Sequence, residues 1–236
     1  FDLYQTQFVL GNSVSNFATE WADVLGSKFG KLLLDGDKRD TLFKGFDAAI
    51  DTAECDRACR VDRALDLARK TLKYTGKVGS IDKLKSMKKV VKAGKSNAVG
   101  IGVFIWKVLN DAGVDAKPAL ANGFGNRIHF GLDLPTSGTF TRPLVYVPAG
   151  DGLSAPVWID PTCESCARGS LPPYTYQAPA VVADGVVQGW KEDKWDLQHR
   201  VTDGKLANVS GNEEHIDLVA SADGTFSVTL KNVDLG

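Results

Sequence analysis

The chain has 236 residues, 43% of them hydrophobic and 24% charged, a globular composition that excludes disordered, collagen-like and coiled-coil proteins. Twenty-eight basic against 29 acidic residues give a formal net charge of −1, so the overall charge offers no footprint for nucleic acid. No apolar run reaches the roughly 20 residues a membrane helix needs. The longest, around Val99 to Leu109, is interrupted by Lys107.

The first hundred residues read as helical. Ser15 to Leu34 carries Phe17, Trp21, Val24, Leu25 and Phe29, mostly at steps of three and four, which predicts an amphipathic helix. Leu42, Phe43 and Phe46 predict a second over Asp40 to Ile50. Asp51 and Thr52 are placed to cap a third from Ala53 to Tyr74, with Val61, Leu65, Ala68 and Leu72 inward and Gly76 and Gly79 after its end. A lysine-rich helix is expected from Ile81 to Gly94. Its lysines, without interleaved aromatic residues, read as a solvated face.

Ala98 to Asp111 is apolar nearly all round, which predicts a buried central helix. Gly100 and Gly102 within it permit close approach of neighbouring groups. Short β runs follow at Asp115 to Ala121, Arg127 to Leu132, Leu144 to Val147, Val157 to Ile159 and Ala180 to Trp190. Two more, Ile216 to Ala220 and Phe226 to Leu230, flank Asp223-Gly224, a two-residue hairpin signal. Helices first and strands afterwards argue an α+β domain in which the central helix packs on an antiparallel sheet. Residues 1–190 are expected to form that domain with its helical lead-in. Residues 191–236 are expected to form a C-terminal β segment that opens a further domain.

The four cysteines form two tight pairs, Cys55 with Cys59 as C-x3-C and Cys163 with Cys166 as C-x2-C. Two disulfides in an oxidising compartment is the preferred interpretation. Zinc held by four thiolates and free thiols are the alternatives, although no histidine adjoins either pair. Local pairing and cross-pairing between the motifs are equally open. The start at Phe1 instead of Met, and a last strand that runs out near Gly236, suggest a piece of a longer, processed protein. The sequon at Asn208 matters only in a glycosylating source.

The segment VWIDPTCESCARGSLPPYTYQAPAVVADG resembles the end of the transglutaminase-like domain of large bacterial envelope proteins, where an aromatic-x-Asp-Pro-Thr strand precedes a loop, Leu-Pro and a short apolar strand. The helix ending Leu109-Asn110-Asp111-Ala112-Gly113-Val114 and the strand Ala116 to Leu120 resemble that family's central helix and first core strand. Trp21 and the Ala53 to Tyr74 helix resemble its helical lead-in. The similarity spans Ser15 to Trp190 and is weakest between Gly36 and Lys95.

What the resemblance implies is a papain-like triad: a cysteine at the start of the central helix, a histidine on a following strand and an aspartate on a further strand. Asp160 matches the aspartate. The nucleophile position falls on Ala98, fifteen residues before Gly113, and alanine has no nucleophile. Ser96, two residues away, is a poor substitute because it is displaced from the helix start and lacks a low pKa. In LPTSGTFTRPLVYVP the histidine position is Arg142, which is always charged and cannot be a general base. His129 is an alternative base in a second register, and His199 and His215 match no family motif.

The resemblance therefore implies an inactive, extracytoplasmic or periplasmic binding or scaffolding module with no cofactor and no resident metal. Its degenerate cleft holds Asn97, Arg142 and Asp160 and takes a protein or peptide segment. An ion pair between Arg142 and Asp160 is expected to replace the histidine–aspartate contact. Two other possibilities stand beside it: an active cysteine acyltransferase or peptidase whose nucleophile was replaced, leaving Ala98 with His129 as base, and a metal-stabilised interaction module built on the four cysteines.

Overall fold

The computed structural model describes residues 7–10, 13–16, 28–29, 36–84, 86–122, 140–184, 196–202, 205–206, 211–220 and 226–235. The chain divides into two compact units, Phe1–Leu206 and Ala207–Gly236. Within the first, strands β1 (Gln7–Leu10) and β2 (Ser13–Asn16) form an antiparallel hairpin. Ser15 thus lies in a strand, where a helix was expected to begin. Most of the remainder of that expected helix lies outside the described residues.

Lys28 and Phe29, inside that expected helix, are helical, and four α-helices have described limits: α1 (Gly36–Phe43), α2 (Arg57–Thr71), α3 (Met87–Ala93) and α4 (Ala98–Asp111). Helix α2 starts four residues later than the sequence predicts. Its cap is Asp56, whose carboxylate accepts from the Cys59 N–H, whereas Asp51 accepts from Ala53 in an exposed turn of its own. The stretch expected as one helix from Ile81 is two pieces, a 3-10 turn at Ile81–Lys83 and then α3. Ser80 and Ser86 each cap one piece through the side-chain oxygen. Helix α4 has the predicted limits because its apolar surface is buried on nearly every side.

Short strands β3 (Lys73–Tyr74) and β4 (Lys95–Ser96) pair in parallel beside α3. The main sheet contains β5 (Lys117–Asn122), β6 (Phe140–Val147), β7 (Val157–Ile159), β9 (Pro179–Asp184) and β10 (Asp196–Val201), antiparallel throughout in the order β10-β9-β5-β6-β7. Strand β8 (Ser170–Leu171) pairs in parallel with β11 (Lys205–Leu206). The unit containing β10 and β11 reaches Leu206, later in the chain than residue 190.

Strand alternation gives this α+β sheet two apolar faces. Leu120, Val145, Val147, Ile159 and Val181 join α2 and α4 in the larger core. Ala119, Ala121, Leu144, Tyr146, Trp158 and Val182 face the other way, where Leu171, Ala178 and Tyr176 cover them. A bulge between Ala121 and Asn122 inserts an extra residue in β6, so Phe140 pairs with Asn122 on the helix side while Arg142 pairs with Ala121 on the opposite side.

Arginines along α2 tie the layers to backbone carbonyls. Arg57 donates to Pro148 and Ala149, Arg60 to Cys55 and Ala112, and Arg69 to Cys166. The second unit holds β12 (Gly211–Ala220) and β13 (Phe226–Leu235), antiparallel with Ala220 opposite Phe226. Asp223-Gly224 lies outside the described residues. No helix among the described residues is long and apolar enough to cross a membrane.

Candidate functional site

Three segments converge around Asp160: the amino-terminal part of α4, the loop from Asp160 to Gly169 after β7, and the PPYTY turn before β9. Asp160 is buried. One carboxylate oxygen accepts from the Thr162 N–H at 2.8 Å and the Thr162 hydroxyl at 2.6 Å, and the other accepts from the Thr175 hydroxyl at 3.3 Å. The Asp-x-Thr spacing makes the first two bonds local, a side-chain turn that lets the strand reverse directly after Ile159. Thr175 is anchored in turn by Thr202, whose hydroxyl donates to the Thr175 carbonyl and accepts from the Ala178 N–H.

Arg142 does not pair with Asp160, which corrects the expected ion pair. Its guanidinium lies over the Tyr174 ring, 5.0 Å from the centroid, because alternation along β6 puts Arg142 on the same face as Leu144 and Tyr146, away from α4. The Tyr174 hydroxyl is 2.9 Å from the Thr162 hydroxyl, so side-chain contacts link Arg142 to Asp160 through Tyr174 and Thr162. Thr162, Tyr174 and Thr175 were not legible as site residues beforehand, although Asp-x-Thr and the two tyrosines around Thr175 were the available signal.

Burial raises the Asp160 pKa above its ordinary 3.8, opposed by the Thr162 and Thr175 hydrogen bonds and then by the charge of Arg142. Burial also raises the Tyr174 phenol above 10.0, with the Asp160 charge adding to the effect, and because the Thr162 hydroxyl donates to Asp160 it is the phenol that donates to Thr162. The sign of the pH dependence follows. Below 3.8 Asp160 is neutral in both states, and as pH rises the unfolded chain releases the proton first, so this contribution to stability is lost through the raised folded value. Asp160→Asn is therefore expected to gain stability relative to the parent as pH rises from about 3 to about 7, measured by urea denaturation at each pH. A difference independent of pH contradicts the assignment.

At the start of α4, Ala98 is fully buried. The helix-end N–H groups that a nucleophilic site would leave free are already bonded: Ala98 donates to the Lys77 carbonyl at 2.9 Å, Val99 to the Val78 carbonyl at 3.1 Å and Gly100 to the Asn97 side-chain oxygen at 2.8 Å. Asn97, expected in a binding role, is the α4 N-cap. Ser96 is buried with its hydroxyl against Gly100, where a Cβ would lie 2.0 Å from it. His129 lies outside the described residues. His199 is on β10 and His215 on β12.

All four cysteines are bonded locally, Cys55 to Cys59 and Cys163 to Cys166, with Cα separations of 5.3 and 5.4 Å. The sulfurs are therefore unavailable to zinc, and cross-pairing does not occur. The C-x3-C bridge fits because Cys55 precedes the helix, so the pair need not conform to helical geometry. No protein-family model, curated protein or solved structure matches the chain.

The Cys163–Cys166 loop walls a cleft against α2 and α4, lined by Leu65, Leu72, Tyr74, Ile101 and Asp160. Its interior of about 20 Å³ holds little more than one water molecule. Arg69 clamps the loop through the Cys166 carbonyl, and Arg168 clamps it to the Ala58 carbonyl and the Asp62 carboxylate. Replacing both Cys163 and Cys166 with Ser should cost about 2 kcal/mol, the chain-entropy value for so short a loop, read from the urea midpoint. An unchanged midpoint excludes a structural role for this bridge.

Proposed function

We propose that the chain is a transglutaminase-like domain without catalytic chemistry, acting as an extracytoplasmic binding or scaffolding module of the bacterial cell envelope. The sealed start of α4 carries this reading: Ala98 is buried, and the helix-end N–H groups are bonded to residues 77, 78 and 97. A thioester-forming site needs a thiolate and free donors for the developing oxyanion. The placement of α4 on the successive strands β5, β6 and β7, with Asp160 at the end of the third, supports the fold assignment. Two disulfides support an oxidising compartment.

The partner segment lies across the mouth of the cleft, with an apolar side chain on Tyr74 and polar contacts to Arg69 and Glu164. Peptides selected on the immobilised protein test this by fluorescence anisotropy. Saturable binding weakened at least tenfold by Tyr74→Ala is expected, with the exposed-site variant Glu164→Lys as a second probe. Selected peptides that bind both variants as tightly as the parent refute the cleft as the docking site.

A further inference from the structure

Residues 70–95 hold nine of the chain's 28 basic residues and one of its 29 acidic residues, which leaves 19 basic against 28 acidic elsewhere. The near-zero total conceals two opposed regions. The fold gathers the basic one: β3 and β4 pair with Lys73 opposite Lys95, and α3 between them in sequence buries Met87 while Lys88, Lys89 and Lys92 are exposed. Lys70, Lys77 and Lys83 are exposed as well.

Elsewhere cations meet carboxylates, as in Arg63 with Asp51, Lys107 with Asp111, Lys117 with Asp115 and Arg168 with Asp62. None of the eight described lysines between residues 70 and 95 is ion-paired with a described residue. Like charges directly opposite on paired strands are destabilising, so the Lys73–Lys95 register carries a cost that an anionic partner removes.

We propose that this lysine face docks the protein on an anionic lipid bilayer. The patch contains lysine and no arginine, which supplies hydrated point charges in place of the bidentate forks suited to individual phosphates. The apolar side of α3 is used in the core, through Met87, Val90 and Val91, so it has no wedge to insert, and attraction to a charged surface is the mode that remains. The rest of the chain carries net negative charge, which an anionic surface repels, so binding is confined to the lysine segment. A single-stranded nucleic acid would require exposed stacking aromatics, and Tyr74, the one aromatic residue in the segment, lines the cleft.

Co-sedimentation of the full chain with phosphatidylglycerol–phosphatidylcholine vesicles tests this, with pure phosphatidylcholine vesicles and an oligonucleotide in parallel. Binding to the anionic vesicles alone is expected, with release in about 0.5 M NaCl, where screening is short-ranged. The triple variant Lys88→Gln, Lys89→Gln, Lys92→Gln should lower the partition coefficient about 100-fold. A matched control, Ala149→Glu, Ser154→Glu, Ala155→Glu, changes net charge equally near the start of α2, where Arg57 holds Ala149, roughly 20 Å along that helix from Lys70. It should bind like the parent. Equal loss in both variants, binding to neutral vesicles, or tighter binding to the oligonucleotide overturns the proposal.

Discussion

Gly79→Ala should destabilise the protein by about 3 kcal/mol, through left-handed backbone strain, a forced side-chain displacement and a lost helix cap. Gly79 has φ +78°, and a Cβ there would lie 2.2 Å from Cγ of Asn97. The Asn97 amide cannot yield without breaking its bond to the Gly100 N–H, which holds the first turn of α4. Asn97→Ala alone removes the cap and should cost about 1 kcal/mol. In the double variant the collision is gone, so the two losses should be less than additive in a double-mutant cycle. Additive losses would show that Asn97 is not what Gly79 accommodates.

Trp158→Ala should cost about 3–5 kcal/mol, the range for removing a fully buried large aromatic side chain. Trp158 is the largest fully buried side chain on the sheet face away from α4, with its ring 4.8 Å from that of Tyr146 and its neighbours Leu144, Leu171 and Val182 around it. Leu171 and Ala178, which cover this face, bracket the turn that carries Tyr174 and Thr175, so the cavity also loosens the supports of Asp160. Trp106, half-buried against Phe43 at 6.1 Å between ring centroids, is the comparison. Trp106→Ala should cost less, and a Trp158→Ala loss no larger than that of Trp106→Ala would contradict this account of the second core.

The sequence made some features legible and hid others for identifiable reasons. Helix α4 and strand β7 were readable because burial on all sides leaves an apolar run with polar residues at its ends. The start of α2 was misplaced because two aspartates, Asp51 and Asp56, both satisfy the local capping rule. The hydrogen bond from Cys59 to Asp56 is what separates them. The break between Lys83 and α3 was hidden by apolar spacing that continues across two serine caps.

At the site, Asp160 was legible from a motif, and its partner was not. Arg142 is near Asp160 in the antiparallel pairing of β6 and β7, and alternation with Leu144 and Tyr146 puts its side chain on the face away from α4, over the Tyr174 ring. The contact with Tyr174, on a turn far along the chain, is the part that no local pattern in the sequence reports. The disulfide connectivity was likewise open, because it depends on Cys55 lying before the helix instead of within it.

Ala98→Cys tests the absence of catalytic chemistry most directly. The variant places a thiol at the start of α4, and its activity is read as incorporation of a fluorescent primary amine into a glutamine-containing peptide, with a thermal melt confirming the fold. The bonded N–H groups at Ala98, Val99 and Gly100 and the position of Arg142 across the sheet predict no incorporation above the parent protein. Sustained turnover by Ala98→Cys, lost again in Ala98→Cys with His129→Ala, would show an intact acyl-transfer site lacking only its nucleophile and would contradict the account.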